Sequence, residues 1–484
     1  MRVLVVGLDA LDAILVDRWL PELPNLRAIC ARGLYGPLES IVQPVTPVAW
    51  TSIATGRNPG HYGFTDFLYR PAPEQGYGPL RLVHSGLVRA TTLVQRAAAA
   101  GLRTITIGLP VSYPPIEVPG GICVSCFMAP SLERGIVAPR DLQEELLAAT
   151  TSPYLLDVPV LERDVPDRTE LAGRLLAFDA QRFDLAHHLS GREWDLLFLV
   201  CMGTDRVGHY FMRFADDEHL RHEPDSPFAE TILEHYRFCD RRLGELVEEA
   251  GPDTAVVVLS DHGMQRLDGR INLNEWLRRQ GYLRLLEEPS GPTPFRELAI
   301  DWNRTRAWSS GYGGQIFFNV RGREVQGCVE ESEVEDLEAE LTAALAEVCG
   351  PAGDRLRVEM FRGDTLYDGP FADRCPDLCL QFDGLRVLTS SAVGAAQVVE
   401  PVTALGPDDG AHARFGFLAL AAPDVAPLGR FDAMHLLDVA PTVLGLLGVD
   451  AEQLEGRPLT EVAESLSDED ELELTNRLER LYLT

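Results

Sequence analysis

The chain has 484 residues, 45% of them hydrophobic and 24% charged, the proportions of a globular protein with room for a large core. Its formal net charge of −31 argues against binding duplex nucleic acid or adhering to anionic membranes. That charge does not exclude an anionic substrate, because bound divalent cations reverse the sign of a local site. All 43 basic residues are arginine, which removes Schiff-base and lysine-nucleophile chemistry.

In chain order, Val3 to Leu8 is a short apolar run that reads as a buried strand, ending at Asp9. A short helix is expected over 24–32, stopped by Gly33, and an extended stretch over 34–42. Thr46 followed by Pro47 reads as a helix start, with Thr46 as the N-cap and Gly56 as the stop. A Gly/Pro-rich loop runs from Asn58 to Pro79. A helix over 91–100 then leads to a strand at 103–107, and this alternation implies a parallel sheet. The segment 108–137 is too long for a mere connector, and together with 58–79 it is expected to wall a substrate pocket.

Helical periods recur at 139–149 and 167–189, followed by a buried strand over 195–202 and a loop carrying Asp205 and His209. A helix at 228–250 feeds a strand at 255–260 that ends on Asp261 and His262, and 272–279 is helical again. From 284 to 405 short strands alternate with turns and one helix near 331–347, which reads as an inserted α+β subdomain. The core therefore spans 1–283 and 406–464. The main sheet resumes at 415–421 just after His412, a helix runs from His435 to Leu447, and an acidic helix closes the chain over 465–484. The expected fold is α/β, a sandwich with helices on both faces of a mostly parallel sheet.

The nine cysteines are scattered and odd in number, so no disulfide framework is expected; Cys123/Cys126 and Cys375/Cys379 read as structural. No run approaches the ~20 apolar residues that span a bilayer. The opening strand leaves no room for a cleaved leader if Asp9 is a ligand, which points to the cytoplasm.

Asp9, Asp205 and Asp261 each follow the C-terminal end of an apolar run that reads as a buried strand, the edge where open α/β sheets bind ligands. Asp205 and His209, four apart, share one side if the segment is helical. Asp261 and His262 must occupy a turn, for which Gly263 supplies backbone freedom. With His412 and the hydroxyl of Thr46, this set suffices for two divalent ions. Mixed carboxylate and imidazole ligation suits Zn²⁺, with Mn²⁺ or Fe²⁺ as alternatives.

The motifs Gly-Leu-Asp9, Thr46-Pro-Val-Ala-Trp-Thr-Ser-Ile-Ala-Thr-Gly-Arg-Asn-Pro-Gly, Asp205-Arg-Val-Gly-His209, Ser-Asp261-His262-Gly-Met and Gly-Ala-His412 occur in the order and spacing of the alkaline phosphatase superfamily. The chain most resembles its type I phosphodiesterase/nucleotide pyrophosphatase branch. That resemblance implies an alkaline-phosphatase-like fold and a two-metal phosphodiesterase acting on a small phosphate ester. It implies Asp9, Thr46, Asp261 and His262 around one ion and Asp205, His209 and His412 around the other, with Thr46 the nucleophile that becomes phosphorylated. The chain departs from the nucleotide pyrophosphatases in having no asparagine between Thr46 and Ser52, and in placing Tyr62-Gly63 where His-Gly is usual, with His61 one place early. Arg57 and Arg206 lie near the motifs, and nothing in the sequence selects either for the phosphate. Alternatives within this reading are a phosphomonoesterase, a phosphomutase, or a non-catalytic metal-binding scaffold.

Overall fold

A computed structural model describes residues 1–461 apart from 78–79, 159–166, 312, 351–352 and 424. The acidic helix expected over 465–484 lies outside the described residues. The centre is a ten-stranded sheet in which Arg2–Leu8 lies between Leu196–Cys201 and Thr254–Leu259, parallel to both. Thr104–Ile107 extends it in parallel beyond Leu196–Cys201, and Phe415–Ala421 joins antiparallel to Thr254–Leu259. The strands Leu196–Cys201 and Thr254–Leu259 are buried along their whole length, as a sheet covered on both faces requires. Helices Arg168–Ser190, Gly203–Ala215 and Thr231–Ala250 pack together on one side. Helices Thr46–Thr55, Leu93–Ala99 and Val439–Leu447 pack together on the other.

The register of the three central strands aligns their ends: Leu8 pairs with Cys201, and Gly7 with Leu259. The residues that follow, Asp9, Met202 and Ser260, therefore emerge at one edge, which places Asp9, Asp205 and Asp261 within reach of one another. Gly7 has a steric reason to be glycine. A Cβ there would come within 2.3 Å of the Trp50 ring, which reaches the strand from the Thr46–Thr55 helix. A Gly7→Ala variant is expected to lose about 1–3 kcal/mol of unfolding free energy through overpacking, measured by urea denaturation.

A second, seven-stranded sheet forms its own core around Ile271, Trp276, Phe318, Leu341 and Phe382. Its helix Val334–Leu345 turns Leu337, Leu341 and Leu345 inward at a spacing of four, one stripe of a helical face. The sheet takes a strand from Gly269–Asn272, ahead of residue 284, because Ile271 pairs there with Thr389 and Val399. It is stitched to the segment around Thr46. Gln43 Nε2 donates to the Leu380 carbonyl at 3.2 Å, and Thr65 Oγ1 donates to Gln315 Oε1 at 3.1 Å. All nine cysteines are free thiols.

Candidate active site

The chain turns sharply after each central strand. Beyond Asp9 the turn is held by Ala10 at a φ of 57°, a left-handed conformation that costs about 1 kcal/mol or more in a residue with a Cβ. Three hydrogen bonds tie this turn to its neighbours. Ala10 N–H donates to Asp261 Oδ1 at 3.4 Å, Leu11 N–H to Ser260 Oγ at 2.9 Å, and Thr204 Oγ1 to the Asp9 carbonyl at 2.5 Å. The Asp9 and Ser260 turns and the start of the helix carrying Thr204 are thereby fixed to one another before any side chain reaches the site.

Asp205 and His209 lie in the helix Gly203–Ala215 rather than in a loop, so their four-residue spacing does put both on one face, with His209 Nε2 3.3 Å from Asp205 Oδ1. Thr46 is the first residue of its helix, not the N-cap. Val45, extended at φ −99° and ψ 121°, holds that place, and its carbonyl accepts the first bond from Ala49. The difference matters chemically: the Thr46 hydroxyl caps nothing and instead lies 3.4 Å from His262 Nε2. His412 lies on the short strand Gly410–Ala413, where it pairs across to Met264, two residues after His262.

The three imidazoles are oriented alike. Nδ1 of His209 faces Asp408 Oδ1 at 2.8 Å, Nδ1 of His262 faces the Gly263 carbonyl at 3.0 Å, and Nδ1 of His412 faces the Pro44 carbonyl at 2.6 Å. An Nδ1–H donated outward leaves each Nε2 turned toward the centre with its lone pair, the arrangement of metal-ligating histidines. The Nε2 atoms of His209 and His412 are 3.4 Å apart, and the His262 and His412 rings stack at 3.7 Å. His262 Nε2 is 3.6 Å from Asp9 Oδ1 and 3.3 Å from Asp261 Oδ2, and His412 Nε2 is 3.5 Å from Asp205 Oδ1.

Those three carboxylate oxygens, Asp9 Oδ1, Asp205 Oδ1 and Asp261 Oδ2, are buried and accept no hydrogen bond. Orphaned acceptors in a closed interior are costly unless a cation satisfies them. The ligand atoms of Asp9, Asp261 and His262 lie within 4.8 Å of one another, as do those of Asp205, His262 and His412. His262 thus stands between the two groups. The donor set fits a pair of divalent ions.

Without metal, protons compete for the same buried groups. Burial, and then the charge of Asp205, push the Asp9 carboxyl well above its ordinary range; burial, Asp9 and Asp205 do the same to Asp261. Burial opposes ionisation of Asp205 too, but His209, His412 and Arg206 outweigh it and hold that carboxyl well below the usual range. Burial works against a charged His209, yet Asp408 and Asp205 keep its pKa well above the ordinary imidazole value. Burial and the neighbouring His412 keep that of His262 well below it.

Several residues not selected from the sequence support this cluster. Trp50 Nε1 donates to Asp9 Oδ2 at 2.6 Å, leaving only Oδ1 turned to the centre. Asp408 orients His209. Its neighbour Asp409 is fully buried, accepts from Arg213 Nε at 2.6 Å and donates its own N–H to the His209 carbonyl at 2.7 Å, locking 408–412 onto the Asp205 helix. Of the two arginines, Arg57 sits by Glu455 at 3.9 Å, whereas Arg206 NH1 donates to Asp205 Oδ2 at 2.6 Å. No local signal marks Trp50 or Asp408, because their roles arise only when distant elements meet. A Trp50→Phe variant is expected to weaken metal affinity about tenfold or more with little change in fold, measured by competition with a chromophoric chelator.

No curated protein sequence matches the chain. Among solved structures, murine ectonucleotide pyrophosphatase/phosphodiesterase 5 is similar with a TM-score of 0.55 at 15% identity, covering 96% of this chain and 100% of that one. Phosphonoacetate hydrolase from Sinorhizobium meliloti, in complex with phosphonoformate, is similar with a TM-score of 0.57 at 16% identity, covering 92% of this chain and 96% of that one. At such identities these likenesses speak for the fold. Among the described residues no helix is long and apolar enough to cross a membrane. The profile of type I phosphodiesterase/nucleotide pyrophosphatase matches residues 3–401, and the chain belongs to that family of phosphoric ester hydrolases.

Proposed function

We propose that this protein is a two-metal phosphodiesterase that works through Thr46 and a phosphothreonine intermediate. The observation that carries the reading is the ring of three unsatisfied, buried carboxylate oxygens facing three inward-turned Nε2 atoms, with the Thr46 hydroxyl at its rim. Asp9, Thr46, Asp261 and His262 would hold one ion, and Asp205, His209 and His412 the other. Zn²⁺ is the metal best matched to this mixture of carboxylate and imidazole. When bound, such a pair supplies positive charge to the phosphate oxygens and makes hydroxyl deprotonation accessible at neutral pH.

The protein's own groups do the rest. Thr46 opens a ten-residue helix, and the positive end of that helix's dipole favours an anionic group beside its first turn. Burial of Thr46, 3% exposed, keeps bulk water from competing at its oxygen. Thr46 Oγ1 gives up its hydroxyl proton to solvent, attacks phosphorus and forms an O–P bond while the bond to the ester oxygen breaks. The departing alcohol keeps the electron pair and takes a proton from solvent. Water then cleaves the phosphothreonine, restoring the hydroxyl and releasing the remaining phosphate ester. Known ligands of similar structures agree in kind: an inactive variant of the murine protein is in complex with AMP, and the Sinorhizobium protein with phosphonoacetate.

Purified protein supplied with Zn²⁺ or Mn²⁺ is expected to hydrolyse bis(4-nitrophenyl) phosphate. It should do so faster than 4-nitrophenyl phosphate. No turnover of either ester with any of these metals would contradict the proposal.

A further inference from the structure

The strand Gly410–Ala413, which carries His412, is reached from the second sheet, whose strand Val399–Pro401 ends shortly before it. The connection, 402–409, therefore decides where two groups of the centre stand. One is His412; the other is Asp408, whose Oδ1 lies 2.8 Å from His209 Nδ1. Within this connection the carbonyls of Val402, Leu405, Gly406 and Asp408 all turn to one side chain, that of Arg221. Its NH1 donates to the Gly406 carbonyl at 2.7 Å and lies 3.4 Å from that of Asp408 and 3.3 Å from Asp409 Oδ1. Its NH2 donates to the Leu405 carbonyl at 2.8 Å and to that of Val402.

Arg221 is anchored in turn. It lies in the loop that follows the Asp205 helix, and its own N–H donates to His219 Nδ1 at 2.9 Å. That leaves the ring hydrogen on His219 Nε2, which donates to the Asp409 carbonyl at 3.1 Å. A guanidinium is a rigid planar fork, so it can gather several acceptors into one arrangement where a rotating ammonium cannot.

These contacts are one-sided. Asp408 and His412 serve the position formed with Asp205 and His209, where His412 Nε2 is 3.5 Å from Asp205 Oδ1. The other position is held by different bonds: Trp50 Nε1 to Asp9 Oδ2, Ala10 N–H to Asp261 Oδ1, and His262 Nδ1 to the Gly263 carbonyl. Ligands work as a set only when held to about 0.5 Å, and the groups behind ligating histidines change metal affinity about 10–100-fold.

We propose that Arg221 is a positioning residue for one of the two ions. By gathering the carbonyls of 402–408 it sets Asp408 behind His209 and His412 beside Asp205, and it has no such part in the Asp9/Asp261/His262 position. The proposal rests on the two-metal reading given above.

Zinc affinity, measured by competition with a chromophoric chelator, is compared in two backgrounds. Asp261→Ala leaves the Asp205/His209/His412 position, and His412→Ala leaves the other. Adding Arg221→Met is expected to weaken the remaining ion at least about tenfold in the first background and less than about twofold in the second. Should Arg221→Met not fold, Arg221→Lys carries the same comparison, because an ammonium does not reproduce the fork. Arg323→Met is the control for lost stability alone, since Arg323 NH1 donates to Asp377 Oδ1 at 2.7 Å in the second-sheet region. It should lower the melting temperature and leave zinc affinity unchanged in both backgrounds. Equal weakening in both backgrounds, weakening matched by Arg323→Met, or no change in the first background would overturn the proposal and leave the two-ion centre in place. If neither Asp261→Ala nor His412→Ala gives up an ion, the two-metal reading fails and the proposal fails with it.

Discussion

Thr46→Ala is expected to lower phosphodiester turnover by at least about a thousandfold while the protein still folds and still binds metal. The side chain is small, its hydroxyl caps no backbone group, and it lies 3.4 Å from His262 Nε2. Removing it therefore costs little structure. What is lost is the oxygen that makes the covalent bond. Thr46→Ser keeps the oxygen and is expected to retain measurable turnover. Steady-state kinetics on bis(4-nitrophenyl) phosphate, with the melting temperature as the control for folding, decides it. Full activity in the alanine variant would show that water, not Thr46, attacks phosphorus.

Stripping the metals is the other large perturbation. Burial, and then the repulsion of neighbouring carboxylates in one pocket, make Asp9 and Asp261 hold protons well above the ordinary carboxylate range. Because their folded-state pKa values are raised, the stability they lend the metal-free protein is present at low pH. It is lost as pH climbs through those raised values. Asp205, held low by His209, His412 and Arg206, works in the opposite sense and only below the ordinary range. Metal binding must displace the protons on Asp9 and Asp261, so it strengthens as pH rises. The difference in melting temperature between zinc-loaded and chelator-stripped protein is expected to be at least about 5 °C and to widen between about pH 5.5 and about pH 8. Differential scanning calorimetry at the two pH values measures it, and a gap that narrows with pH would contradict the ligand assignment.

Much of the site is legible in the chain because its acids are tied to strand ends. The apolar runs before Asp9, Asp205 and Asp261 are buried strands, and parallel neighbours in register bring their ends to one edge. His412 is different. It sits on a four-residue strand whose partner, Gly263–Arg266, lies far back in the chain, so only its motif and the tertiary pairing with Met264 identify it. The helix around Asp205 was hidden because its start, Met202 and Gly203, carries no side-chain cap; Asp179 Oδ1 accepts the Gly203 N–H from another helix instead. The expectation of Thr46 as an N-cap erred by one residue. Val45 can hold the cap position without a side-chain acceptor, since Pro47 removes one of the N–H groups that would need it. The loops 58–79 and 108–137 are expected to wall a substrate pocket; a cleft of about 840 Å³ takes Asp66, Phe67 and Leu68 from the first of them and most of its other lining from the second sheet and from 405–408. Loop length carries no information about which distant sheet folds over a site.

The most direct measurement is the metal content of the purified protein by inductively coupled plasma mass spectrometry, after loading with zinc and removal of excess. Two ions per chain are expected, falling to about one in Asp261→Ala and in His412→Ala. A protein that retains no zinc, or whose zinc content is indifferent to both substitutions, would show that the converging side chains are not a metal centre.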